Sequence, residues 1–395
     1  MMKYFSMPAD FKRETVESYD RLNNTYDGSR VSEVYGNITL GNLFESGRSV
    51  DMLPPVDWAS LQEYVGFLGQ KNIDFNYTLN MSHMGNREFS RKGMMELVLF
   101  LAKLYKAGVR HLTVALPSLM EMVKSLPYDF KVKASVICQI TTANKAAAYK
   151  RMGVDRMVAD ESIVRNFETL KRVREAASGS VEIIVNSICF RDCPYRMFHY
   201  NQISTDSIQV SSKASANYYD HRCLLRRFEG TAGVLRLGWV RPEDIKYYTA
   251  IGINFFKLQG RHTVMKGDPA RAVECYFKES YDGDLMELFD LFNPTTSFRV
   301  FIHNRCLDGF IEPFYKNENF CKNDCQRCNH CEAFARKCVD LKEIGESAHR
   351  ASEFYREYDQ FGQLLAAIVN VDVNVDGKNP GGAAAGDLSA DFDLG

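Results

Sequence analysis

Apolar and polar positions along this chain alternate in two lengths. A polar stretch at residues 9–27 patterns as a helix. After it, short apolar runs predict strands at Arg30–Tyr35, Ile73–Asn80, His111–Leu116, Val132–Ile140, Asp155–Ala159, Val181–Ser187, Val234–Trp239 and Asn254–Leu258. Longer amphipathic runs between them predict helices at Trp58–Gln70, Ser90–Ala107, Leu119–Ser125, Ala143–Met152, Ile163–Ala177 and Pro242–Ile251. Gly108, Gly153 and Gly252 fall where helices should stop. Thr142 and Arg241-Pro242 supply helix starts.

Eight strands joined by helical crossovers predict a (β/α)8 TIM-like barrel over residues 30–265. An open doubly wound sheet is the alternative, but its Gly-rich phosphate loop is absent from the sequence. Residues 190–232 interrupt the pattern between the sixth and seventh predicted strands and read as an insertion at the barrel mouth. Beyond the barrel, residues 266–369 predict helices at Ala270–Tyr281 and Leu285–Phe292, a strand at Ser297–His303, a cysteine-rich module, and a closing helix or helical pair over Leu341–Val369. Residues 1–29 are expected to hold only the N-terminal helix. The acidic, Gly- and Ala-rich segment 370–395 is expected to be disordered.

Charge adds little. With 49 basic and 50 acidic residues the net charge is −1, so no polyanionic partner is implied, and RNA is not excluded because a local basic patch can hide in that balance. No run approaches the ~20 apolar residues of a membrane span, and the first ten residues carry no long apolar run or cleavage signal. The expectation is a soluble, cytoplasmic protein.

The cysteines change the picture. There are eleven, an odd number, and in a reducing compartment they read as ligands rather than disulfides. Cys321, Cys325, Cys328 and Cys331 lie within eleven residues of polar sequence, where an apolar core is not available to receive them. Such thiolates hold a soft metal or an iron–sulfur cluster. Close spacing favours a cluster loop; Zn2+ is the alternative. Cys306 and Cys338 are spare candidates. Cys189 and Cys193 follow one predicted strand and Cys223 precedes the next, so all three are expected at the C-terminal rim as ligands of a [4Fe–4S] cluster, with a zinc site or inert buried cysteines as the alternatives. Cys138 is the candidate fourth ligand or a core residue. His199 is a candidate proton-transfer group, or a surface histidine. Polar residues at strand ends, among them Glu33, Asn80, Lys257 and Arg261, are candidate substrate contacts.

Two segments carry a resemblance. Val185-Asn-Ser-Ile-Cys189-Phe-Arg-Asp-Cys193-Pro-Tyr-Arg-Met-Phe-His199 and Trp239-Val-Arg-Pro-Glu-Asp…Lys257-Leu-Gln-Gly-Arg261 resemble the peptidase U32 family, and Glu33-Val-Tyr-Gly and Ser46-Gly-Arg48 also fit. The chain departs from the best-known signature: three residues rather than six separate Cys189 from Cys193, and Gln259 stands where a glutamate is usual. The Cys-x3-Cys spacing is similar to the accessory proteins of anaerobic ubiquinone hydroxylation. The resemblance implies either peptidase activity or iron–sulfur-dependent, oxygen-independent hydroxylation of RNA, a small molecule or a peptide. It marks Arg48 and Arg261 as anion-gripping residues, since arginine forks match carboxylates and phosphates.

The resulting expectation is an iron–sulfur enzyme with one or two [4Fe–4S] clusters. Lys257 joins the two arginines at the substrate, with Asn80 nearby, and Glu33 or His199 moves protons. A partner protein supplies electrons. A peptidase and a non-catalytic electron-transfer scaffold are the competing readings. No Gly-x-Ser-x-Gly or His-Glu-x-x-His motif is present to support a peptidase.

Overall fold

A computed structural model describes residues 1–44, 46–48, 52–207, 218–295, 298–354 and 356. Contacts divide the chain into residues 1–352 and 353–395; the barrel and everything built on it belong to the first unit. The segment 370–395 lies outside the described residues, as does the end of the predicted closing helix.

In chain order the barrel comprises β1 (Lys3–Pro8), α1 (Arg13–Thr25), β2 (Ser29–Gly36), α2 (Trp58–Gln70), β3 (Asp74–Leu79), α3 (Arg91–Lys106), β4 (His111–Val114), α4 (Pro117–Ser125), β5 (Lys131–Ala134), α5 (Ala143–Arg151), β6 (Arg156–Val158), α6 (Phe167–Ala176), β7 (Val181–Ile184), α7 (Arg196–Asp206), α8 (Tyr218–Phe228), α9 (Ile245–Ala250) and β8 (Phe255–Lys257). The strands pair in sequence order and β8 returns to β1, closing a parallel (β/α)8 barrel. Ser90 and Thr142 cap α3 and α5 by accepting from Gly93 N and Lys145 N. Gly108, Gly153 and Gly252 end their helices with φ of +91°, +84° and +81°, a backbone region that disfavours any side chain.

The expected number of strands is present, but one stave differs. Lys3–Pro8 is a strand that comes before the barrel boundary expected at residue 30. It is easy to miss, because its apolar positions are only Tyr4, Phe5 and Met7, broken by Ser6. Phe5 faces outward against Tyr276 and Phe277, with ring centroids 6.2 and 5.2 Å away. Ser6 faces inward. Val234–Trp239, expected as a strand, is instead a 3-10 turn at Val234–Arg236 followed by an antiparallel bridge between Leu237 and Phe190. Its apolar residues serve a cover. Trp239 is buried between Phe289 and Phe310 at 5.7 and 5.6 Å, and its Nε1 donates to Val234 O at 2.9 Å. The insertion, α7 and α8, therefore lies within the β7-to-β8 crossover.

After the barrel come α10 (Pro269–Phe277), α11 (Leu285–Phe289), α12 (Glu312–Lys316), α13 (His330–Cys338) and α14 (Leu341–Phe354). The strand expected at Ser297–His303 forms no ladder among the described residues. Ile302 and His303 make only single antiparallel bridges, to Val339 and Asp284. Cys306 and Cys338 form a disulfide with Cα atoms 5.2 Å apart, in the ordinary range for such a bond. These two spare candidates thus leave the ligand pool, contrary to the expectation that thiols here would avoid pairing.

Candidate functional site

Barrel interiors are usually filled by branched apolar side chains. Here the outward strand faces carry the apolar residues, and the middle of the barrel is charged. Lys133 on β5 forms ion pairs with Glu33 on β2 and with Glu182 on β7, the latter at 2.6 Å. Ser6 Oγ donates to Glu33 at 2.9 Å or to Glu182 at 3.0 Å. Asn76 Nδ2 donates to Glu33 Oε2 at 3.1 Å, and Thr113 Oγ1 donates to Asn76 Oδ1 at 2.6 Å. Burial pushes the Glu33 carboxyl up, but the Lys133 ammonium and the Arg156 guanidinium outweigh it and hold the group well below the usual carboxylate range. Glu33, expected at a strand end as a proton carrier, is therefore sealed in mid-barrel at 3% exposure.

Above this layer, at the C-terminal rim, the partners thin out. Lys257 ends β8, with Nζ 3.8 Å from the centroid of the Tyr35 ring. Burial, with Lys133 and Arg261 adding to it, pushes Lys257 down to about 8 against the pull of Glu182 and Glu33. Arg261 donates through Nη1 to Asn37 Oδ1 at 2.6 Å and to Thr78 Oγ1 at 2.9 Å. Burial and the neighbouring Arg48 lower it to about 10. His262 is exposed at the surface, and partial desolvation of its ring, with Arg48 and Arg261 adding to it, pushes it down. His199 on α7 lies 3.0 Å from Asp220 on α8 through Nε2, a base held by a carboxylate. Arg48 bears on Arg261, His262 and Asp220 alike, so the expected anion-gripping residues do gather at the rim. Asn80 serves the neighbouring loop instead. Its Oδ1 accepts from Gly47 N at 3.0 Å and steadies the segment that carries Arg48. A Cβ at Gly47 would meet Asn80 Nδ2 at 2.5 Å.

The thiols divide into two neighbourhoods. Cys321, Cys325, Cys328 and Cys331 line one small pocket, edged by Arg191 and Arg236. A packed cluster anchors the loop there: the His330 ring sits among Phe310, Phe314, Phe320 and Phe334 at 5.1–5.4 Å, and Nε2 contacts Phe310 O at 2.9 Å. In the second neighbourhood, burial first, then Glu161 and Cys223, push the Cys189 thiol up to about 12. Arg227 Nη2 contacts Cys223 Sγ at 3.5 Å. Cys193 is half-buried and a free thiol. Cys138 stands apart: it is buried, its Sγ contacts Ala115 O at 3.4 Å, and its polar neighbours are Tyr149 and Lys145 rather than another thiol. Among the described residues no three His, Cys, Asp or Glu side chains stand in a ready-made metal geometry.

Arg191 joins the two neighbourhoods. It lies between Cys189 and Cys193 in the chain, and its Nη2 contacts Cys321 Sγ at 3.2 Å. Arg191 Nε, Arg165 Nε and Nη2, Arg236 Nε, Arg226 Nη1 and Arg227 Nε are buried without an acceptor among the described residues. Buried guanidinium N–H groups left unsatisfied beside sulfur suit negative charge on those sulfurs. The donor set therefore fits a thiolate-bound, anionic centre, and the fit is better in the pocket of four thiols than around Cys189.

Sequence reasoning missed Lys133, Glu182, Arg191, Asp220 and His262. A signal existed for three of them. Lys133 and Glu182 are lone charges inside apolar strands, and Arg191 sits between two candidate ligands. Asp220 and His262 carry no such mark.

The model for peptidase family U32 matches residues 55–191. A relative from Methanocaldococcus jannaschii, described as an uncharacterized protease, is 30% identical over 287 residues, covering 72% of this chain and 83% of that protein. The chain belongs to the peptidase U32 family. A solved U32 peptidase is 18% identical with a TM-score of 0.48, covering 66% of this chain and 93% of that one. A chitinase from Aspergillus fumigatus reaches a TM-score of 0.38 at 11% identity, covering 65% and 90%. The barrel assignment rests on the strand ladder, not on these two likenesses. No described helix is long and apolar enough to cross a membrane.

Proposed function

We propose that this chain is a U32-family enzyme that uses a thiolate-bound [4Fe–4S] centre for oxygen-independent hydroxylation of a substrate at the barrel mouth. The observation that carries this reading is the pocket of Cys321, Cys325, Cys328 and Cys331, edged by buried arginine N–H groups that have no acceptor among the described residues. These four cysteines would hold the centre, and Cys189, Cys193 and Cys223 would hold a second one after a local rearrangement. Bound there, a cluster would supply one-electron chemistry: converting C–H to C–OH with water as the oxygen source releases two electrons and two protons, and the electrons would pass through the cluster to an electron-accepting partner protein. The chain's own residues do the rest. Arg48 and Arg261 hold an anionic part of the substrate, whether RNA, small molecule or peptide. The Arg261 guanidinium is aimed by Asn37 and Thr78. His199, its Nε2 held by Asp220, takes or returns a proton at Nδ1.

Protein purified without oxygen and assayed for iron, sulfide and electron paramagnetic resonance tests this reading. About four irons and four sulfides per centre support it. Stoichiometric zinc at the C-terminal cysteines makes that site structural, and protein that is metal-free yet active ends the reading.

A peptidase is the second reading, favoured by the description of the Methanocaldococcus relative and by the 3.0 Å His199–Asp220 pair, which resembles the base and orienting group of a nucleophilic triad. Peptide cleavage that persists with chelator and in the Cys189→Ser and Cys321→Ser variants would favour it over the cluster enzyme.

A further inference from the structure

Two buried lysines sit in this barrel about one layer apart, and only one has its charge answered. Lys133 takes both interior carboxylates, Glu33 and Glu182. Lys257, at the end of β8, has no carboxylate within ion-pair reach and no hydrogen-bond acceptor among the described residues; its amine rests on the face of Tyr35 at 3.8 Å. On the rim side the Arg261 guanidinium repels the Lys257 ammonium, and Arg48 in turn repels Arg261. Both side-chain bonds of Arg261 leave through Nη1, so Nη2 has no acceptor among the described residues. Arg48 Nε is likewise buried without one. The rim therefore presents an unanswered amine next to guanidinium N–H groups that are free to bind.

We infer that Lys257 is a nucleophilic amine that condenses with the carbonyl group of a small anionic aldehyde or ketone, whose acid group is held by Arg261 and Arg48. Lysine amines become nucleophiles when desolvated or placed beside other cations, because both conditions favour the uncharged form. Both conditions hold here, and together they bring the amine to about 8. The ammonium first gives a proton to solvent. The nitrogen lone pair then forms a bond to the carbonyl carbon, and the carbon–oxygen π pair moves to oxygen, which gains a proton. Nitrogen releases its extra proton, its lone pair forms the carbon–nitrogen π bond as the carbon–oxygen bond breaks, the hydroxyl leaves with a proton as water, and the iminium then gives up its N–H proton. Amine plus carbonyl gives imine plus water, with no change of oxidation state and no further reactant. The Tyr35 phenol donates to Leu258 O at 2.9 Å, and burial pushes its own ionisation well up, so it supplies a ring face rather than a base.

None of this chemistry depends on the metal centre. It is tested by reductive trapping on the full chain, with glyoxylate as probe, cyanoborohydride as reductant and peptide mass mapping as readout. One adduct per chain, at Lys257, is expected. Labelling should rise with pH through about 8, under the combined influence of Glu33, Glu182, Lys133 and Arg261 around the amine. Lys257→Arg should abolish the adduct while keeping the charge. Arg261→Gln should raise the glyoxylate concentration needed for half-labelling at least tenfold more than it raises that for acetaldehyde, because both aldehydes lose the cation that depresses the amine but only glyoxylate loses the grip on its acid group. Adducts spread over surface lysines with Lys257 unlabelled would overturn the inference, and this map from the unaltered protein decides the matter even where a variant fails to fold. Equal labelling of Lys257 by glyoxylate and acetaldehyde would overturn the role given to the arginines.

Discussion

The middle of the barrel and its rim are built from the same residue types and treat them in opposite ways. In the middle, the lysine, two glutamates, serine, asparagine and threonine pair with one another across the strands, with Glu182 Oε1 left buried without a donor among the described residues. At the rim and around the thiols, Lys257 has no counter-ion and several buried arginine nitrogens lack an acceptor among the described residues. A charge buried with its partners is structure, and it destabilises strongly when one partner is removed. A charge buried without partners is a cost the fold carries, and such costs concentrate where a ligand is to be bound. Pairing sorts functional candidates better than residue identity does, since Glu33 and Lys257 look equally catalytic in the sequence.

The largest effect should come from the middle layer. Lys133→Met leaves two buried carboxylates with only the Arg156 guanidinium, 3.8 and 3.7 Å away, to answer them, and should cost about 3–5 kcal/mol in urea unfolding. Replacing all three groups with apolar residues of similar size should recover most of that loss. Because the Glu33 carboxyl is held below its unfolded value, its contribution is present above roughly pH 4.3 and is lost as pH falls below it. A Lys133→Met protein as stable as the parent would show that the layer is not what holds the strands together.

Next in size is the link between the thiol groups. Arg191→Leu removes the N–H that reaches Cys321 Sγ. Groups that support metal ligands are worth roughly 10–100-fold in metal affinity. The C-terminal site should weaken by that factor, about 1.4–2.7 kcal/mol, in a chelator competition. An unchanged affinity would make Arg191 a packing residue and leave its free Nε unexplained.

Lys257 gives the comparison its opposite sign. Lys257→Met removes an unanswered buried charge and keeps an apolar stem on the Tyr35 ring. Some cation–π attraction is lost in exchange. The variant should be about 1–2 kcal/mol more stable than the parent at pH 7. The folded lysine loses its proton near 8 while the unfolded one keeps it to about 10.4. Parent stability is therefore lowest relative to the variant below that window and climbs as the pH rises through it, where the buried amine no longer has to stay charged. A destabilised variant would place Lys257 with Lys133 among the structural charges.

The barrel itself is legible in the sequence because helix-stopping glycines and amphipathic runs repeat with each crossover. Lys3–Pro8 is not, because a six-residue strand with a serine turned inward shows no continuous apolar run. Val234–Trp239 misleads for the converse reason: its apolar residues bury themselves in a cover over the barrel, and burial alone does not distinguish a cover from a stave. The grouping of Cys321 to Cys331 is plain from spacing, since residues so close in the chain cannot separate far. The Cys306–Cys338 disulfide is not, because its partners are 32 residues apart and meet only through the fold. Arg48 and Arg261 stand out through family resemblance. Lys133 escapes notice because a charge in a strand reads as a strand end unless the facing strands are known to answer it.

Asn80 supplies the smallest and most discriminating case, a rim residue whose polar group is answered. The sequence suggests a substrate contact, yet its carbonyl oxygen is used by Gly47 N in the loop that carries Arg48. If paired groups are structural even at the rim, Asn80→Ala should cost about 1 kcal/mol, one hydrogen bond. Its effect on anion binding should then run entirely through the position of Arg48. In the glyoxylate assay, half-labelling should shift to higher concentration by no more than the shift seen for Arg48→Gln. The double variant should show no further loss, because two residues acting through one contact are not additive. Asn80→Asp keeps the acceptor and should restore the loop. A double variant whose losses multiply would mean that Asn80 meets the anion itself, and pairing would then fail as a guide to which polar residues at this rim are free to work.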